Sequence, residues 1–154
     1  VLFQKISDEL VDLRAVDLDE QVSQHLHFVY SGQKAQSADA LSYIADHKMS
    51  SEWLDEISTL SQELSEASSI ESWLEGISKH NELLAPYLGV DSPALGFPDF
   101  SGAVKYLGAW GGDFLLAASA ESPNYVKNYF TKKGFAHILS YDQVAVHMQP
   151  EKSR

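Results

Sequence analysis

Cysteine is absent from the 154-residue chain, so no disulfide and no thiolate metal site can form, a composition compatible with a reducing cytoplasm. No apolar run approaches the roughly 20 residues that cross a bilayer, and no basic segment precedes a short apolar one. The expectation is a soluble, cytoplasmic protein without membrane partners. Cations are scarce as well. Eleven Lys and Arg stand against 22 Asp and Glu, a net charge of -11. Nucleic-acid binding draws on phosphate neutralisation by Lys and Arg, so no nucleic-acid partner is expected. The sequence also lacks a G-x-x-x-x-G-K-[ST] phosphate loop, a G-x-S-x-G elbow and an H-E-x-x-H metal motif.

What is present begins with Lys105-Tyr-Leu-Gly-Ala-Trp-Gly-Gly-Asp-Phe-Leu-Leu-Ala117, a glycine-rich turn between two apolar, strand-like segments. Gly108, Gly111 and Gly112 can adopt backbone conformations that turn successive amides into one concavity, which suits an anion. The same glycines would also serve an ordinary wide hairpin loop. Phe114 to Ala118 is so apolar that both faces of its strand are expected to be buried. Trp110 either walls an acceptor pocket or plugs the hairpin against a helix.

Charge is unevenly distributed. Asp46, Glu52, Asp55, Glu56, Glu63, Glu66, Glu71, Glu75 and Glu82 face only Lys48 and Lys79 in the middle of the chain, whereas Lys105, Lys127, Lys132 and Lys133 outnumber Asp113 and Glu121 around the glycine turn. A phosphate site would favour the second region. Ordinary solvated lysines would look the same.

Val1 to Lys5 and Leu10 to Ala15 read as a hairpin, and Leu26 to Tyr30 as a strand. Helices are expected over Gln36 to Lys48, along the Trp53, Ile57, Leu60, Leu64 stripe, and from Ile70 through Trp73, Leu74 and Ile77 to Leu84 and Tyr87. Ser68-x-x-Glu71 would box the start of the third helix and Gly89 would end it. Ser92 to Pro98 is a connector. Ser122-Pro123 opens a helix that Gly134 stops. Ala136 to Ser140 and Val144 to Met148 are expected to be extended, and residues 149–154 form a polar tail after a single domain over 1–148. Strands at both ends and helices between them predict an α+β domain, an antiparallel sheet covered by a layer of helices.

His25 and His27 alternate on the expected strand, and Asp17, Asp19 and Glu20 cluster before it, but neither set has recognisable metal-ligand spacing. No metal site is expected. Trp53 and Trp73 sit on apolar stripes and read as core.

The run Lys105-x-x-Gly108-Ala109-x-Gly111-Gly112-Asp113 resembles the third motif of the GHMP small-molecule kinases, usually K-x-x-G-A-G-G-G-D/G-C, with Trp110 in place of a glycine and Phe114 in place of the cysteine. Asp113 is similar to the phosphomevalonate kinases at that position. His27-Phe28-Val29-Tyr30-Ser31-Gly32-Gln33-Lys34-Ala35-Gln36-Ser37 is similar to the strand, turn and helix start that follow the substrate motif in the same kinases. The resemblance runs from about residue 1 to residue 147 and implies the ferredoxin-like C-terminal half of such an enzyme.

It further implies a phosphate or substrate loop at Gly108, Ala109, Trp110, Gly111, Gly112 and Asp113, with Lys34, Ser37 and Lys105 as possible contacts to a small anionic acceptor such as mevalonate or phosphomevalonate. Ser37 could equally cap the next helix. ATP and Mg2+ would be held by the missing N-terminal half, so no catalytic residue is assigned here and the chain alone is expected to be inactive. An exposed face where that half would pack makes a homodimer possible. The alternative reading is a noncatalytic small-molecule or protein-binding module of the same architecture.

Overall fold

A computed structural model describes residues 2–5, 11–32, 49–108 and 112–145. The expected helix over Gln36 to Lys48 and the tail lie outside the described residues, as do Lys34, Ser37, Ala109, Trp110 and Gly111.

Strands β1 (Leu2–Lys5) and β2 (Val11–Arg14) pair antiparallel as a two-stranded hairpin, separate from the main sheet. A short helix, α1 (Glu20–Ser23), precedes β3 (Leu26–Tyr30). Two long helices follow, α2 (Ser51–Glu66) and α3 (Ile70–Leu88), then a 3-10 turn over Pro93–Gly96. The chain continues through β4 (Ala103–Tyr106), β5 (Phe114–Ala118), α4 (Pro123–Lys132), β6 (Ile138–Ser140) and α5 (Tyr141–Val144). The four-stranded sheet has the order β4-β5-β3-β6 and every pairing is antiparallel. With helices between β3 and β4 and between β5 and β6, the four-stranded antiparallel sheet belongs to an α+β domain of interleaved β-α-β-β-α-β order.

Because strand side chains alternate, the sheet carries a different core on each face. Leu26, Leu116 and Ala118 pack with Ile70 and Ile77 of α3, while Val29, Leu115 and Ala117 pack with Val126 and Phe130 of α4. The covering helices therefore lie on both faces. Between them, Leu115 to Ala118 of β5 are all buried, as its unbroken apolar sequence requires.

The stripe on α2 serves a helix-helix seam. Trp53 lies 4.7 Å from the Tyr87 ring and donates its indole N–H to the Leu83 carbonyl at 3.4 Å. Leu60 is the buried residue of α2, which packs on α3 as an outer layer.

Two boundaries differ from the sequence expectation, the start of α3 and the segment at Val144, whereas Gly89 ends α3 as expected. The cap of α3 is Ser69, whose hydroxyl accepts from the Ser72 amide at 3.2 Å; the extended backbone sits at 69, one position later than the Ser68 box requires. At its other end Gly89 takes a left-handed conformation, and the Gly89 and Val90 amides close onto the Pro86 and Ala85 carbonyls. Val144 is helical, not extended. The Ser140 amide donates to the Gln143 side chain at 2.9 Å and turns the chain into α5 directly after β6.

Candidate functional site

The turn between β4 and β5 is held from two sides. Leu107 N–H donates to the Phe114 carbonyl at 3.0 Å, extending the ladder one step beyond the strands. From β3, the Ser31 amide donates to the Asp113 carbonyl at 2.7 Å and the Ser31 hydroxyl to the Gly112 carbonyl at 3.2 Å. These bonds bring together the two stretches that carried the sequence argument. The end of β3 and the glycine turn share one end of the sheet.

The glycines there do different work. Gly108 has φ +73 with open space around it, so only its backbone conformation needs glycine. Gly112 is buried, and a Cβ built on it would collide with the Leu107 carbonyl oxygen. It permits a close backbone crossing.

Beside this turn, the C-terminal part of α3 and strand β4 enclose a cavity of about 60 Å³. Asn81, Leu88, Asp91, Lys105, Tyr106 and Gly108 are among the residues lining it. Asn81 is buried and donates its side-chain N–H to the Val104 carbonyl at 2.8 Å, fixing the helix to the strand edge. Lys105 is half-buried, and its ammonium makes no ion pair or hydrogen bond among the described residues. Burial without a counter-charge pushes its ammonium down to about 8.

His80 precedes Asn81 and is 9% exposed, with Nδ1 lacking a hydrogen-bond partner. Burial first, and the Lys105 charge second, push it down to about 4. A histidine that is neutral in the fold, with an ordinary value of 6.5 when unfolded, supports stability that is complete above about pH 6.5 and is lost as pH falls toward 4. After discounting for solvent that still reaches the ring, the contribution is on the order of 1–2 kcal/mol. Urea midpoints compared at about pH 7 and about pH 4.5 should fall less steeply in His80→Gln than in the native chain. Equal falls in the two proteins would remove His80 from this role.

Of the lysines near the turn in sequence, Lys133 is engaged elsewhere. Lys133 is bound to Asp99 at 3.0 Å, where the Tyr129 hydroxyl also donates at 2.6 Å. Lys105 is the lysine that reaches the cavity.

The histidine pair also separates. His25 lies in the turn before β3 and its Nδ1 is 2.8 Å from the Ser119 carbonyl, whereas His27 is 1% exposed and its ring nitrogens have no hydrogen-bond partner among the described residues. Asp19 caps α1 by accepting from the Gln21 amide at 2.8 Å. Among the described residues there is no group of three potential metal ligands. No described helix is long and apolar enough to cross a membrane.

His80 and Asn81 were not singled out from the sequence. The available signal was two polar residues on a helix stripe otherwise built from Ile77, Leu84 and Leu88.

No family model matches the chain, and no curated protein does. Among solved structures it is similar to the Lin0012 protein from Listeria innocua, with a TM-score of 0.63 at 18% identity. The fold is shared. The likeness covers 82% of this chain and 41% of that protein, so the chain spans less than half its length. At that identity the comparison concerns architecture alone.

Proposed function

We propose that this chain is the acceptor-side, C-terminal module of an ATP-dependent small-molecule kinase of the GHMP type, acting on a small anionic acceptor of the mevalonate or phosphomevalonate class. The observation that carries this reading is the meeting of the β3 end with the glycine turn through Ser31, beside a cavity lined by Lys105, whose half-buried ammonium has no ion pair among the described residues. An acceptor carboxylate or phosphate would supply the missing counter-charge. The resemblance of the turn to the third kinase motif gives the reaction class.

The described residues hold no group of three potential metal ligands. Nucleotide and Mg2+ would be held outside them. When bound, these supply the transferable phosphoryl group and neutralise its charge. This chain's residues would orient the acceptor and keep water from its anionic end.

Lys105→Met in the protein expressed from its complete reading frame tests the assignment. The acceptor KM is expected to rise about tenfold or more, equivalent to about 1.4 kcal/mol of lost binding, while the KM for ATP stays unchanged. A rise in the ATP KM alone would place Lys105 elsewhere in the reaction. Absence of acceptor-dependent ATP turnover with any small acceptor would favour the noncatalytic binding module.

A further inference from the structure

Two basic groups, Lys105 and His80, stand together at the junction of α3 and β4, and neither meets a carboxylate among the described residues. His80 is one helical turn before Leu84, which lines the cavity, and it is close enough to Lys105 to feel its charge. An unpaired, partly desolvated cation is costly, and a counter-ion that enters the site removes that cost. Asn81 uses one of its two amide hydrogens on Val104, and the second has no partner among the described residues.

We propose that the cavity between α3 and β4 is a preformed site for a small oxyanion head group of the phosphate or sulfate class, held by the Lys105 ammonium with Asn81 as a second donor. This assignment deepens the kinase reading at the same cavity, resting on it for the site's purpose and on the cavity's own lining for the anion. The size fits a head group. At about 60 Å³ the room is far below the several hundred Å³ usual for a whole drug-sized ligand.

Opposing features set the strength. Asp91 lies on the wall, solvent-exposed, and the negative end of α3 is nearby. The Ala85 and Pro86 carbonyls at that end are already bonded to Val90 and Gly89, which moderates the second effect. A dissociation constant on the order of a millimolar is expected. The titratable and charged groups lining the site are Asp91 from the segment after α3, and Lys105 and Tyr106 from β4; His80 of α3 lies near enough to feel the Lys105 charge.

Binding should follow the charge on Lys105, which is held at about 8. Calorimetric titration of this chain with sodium sulfate, a dianion throughout the range, is expected to show at least tenfold weaker binding at about pH 9.5 than at about pH 7. Lys105→Met should abolish binding. Lys105→Arg should bind at both pH values, because a guanidinium stays charged. Circular dichroism would verify that both variants fold, and the arginine variant decides the matter if the methionine variant does not. Three results would overturn the proposal: no binding at tens of millimolar sulfate, equal binding by folded Lys105→Met, or equal affinity at the two pH values in the native chain. Loss of sulfate binding would leave phosphotransfer open, and absence of phosphotransfer would leave the anion site open.

Discussion

Phe130→Ala is expected to destabilise the chain by about 3–5 kcal/mol, the range for removing a large aromatic from a packed core. Phe130 is fully buried on the α4 face of the sheet, with the Phe97, Phe100 and Phe135 rings at 5.1, 5.2 and 5.7 Å. Those rings belong to two segments, the connector before β4 for Phe97 and Phe100 and the turn after α4 for Phe135. They cannot all close the gap that alanine leaves, since each is anchored by its own backbone and by the others. Leu95→Ala is the control, because Leu95 is 69% exposed and its loss should stay within about 0.5 kcal/mol. Urea unfolding of the two variants measures the contrast. Similar midpoints would mean that α4 does not cover this face.

The second large effect concerns the turn itself. Gly112→Ala should cost about 2–3 kcal/mol, because its Cβ meets the Leu107 carbonyl oxygen, a backbone atom that cannot swing aside. Gly108→Ala faces open space and bears only the left-handed conformation, at about 1–2 kcal/mol. The two also differ in kind. Widening the crossing at Gly112 should pull its carbonyl from the Ser31 hydroxyl and loosen the link to β3, whereas Gly108→Ala should leave that link intact. Amide exchange at Ser31, whose N–H is bonded to the Asp113 carbonyl, reads this out. Protection lost in the Gly112 variant and kept in the Gly108 variant is the expected pattern; the reverse would contradict the crossing.

Much of the architecture was legible locally because the signals were local. Leu26 to Tyr30 shows a strand by composition, Ser122-Pro123 fixes a helix start by capping and restricted φ, and Gly89 and Gly134 end helices in left-handed conformations. The apolar run of β5 announced burial on both faces. Boundaries failed where neighbouring residues could play the same part. Ser68 and Ser69 are both competent caps, and backbone geometry chose the second.

Pairing across the sheet was not readable in the same way. Nothing in the local pattern near Ser31 shows that it bonds Gly112, 81 positions later. The cavity is hidden for the same reason, since it requires α3 and β4 to lie together, fixed by Asn81 on Val104. Lys105 could be named from the glycine motif, but that it is half-buried with no ion pair among the described residues depends on how α3 packs on β4. Lys34, Ser37 and Trp110, the other residues that the motif drew attention to, lie outside the described residues.

The most direct test of the kinase assignment is acceptor-dependent ATP turnover by the protein expressed from its complete reading frame, with mevalonate, phosphomevalonate, homoserine and sugars offered in parallel with this chain. Turnover with a small anionic acceptor by the longer protein, and none by the chain alone, is the predicted result. Turnover with no acceptor, from a protein shown to be folded, would contradict it.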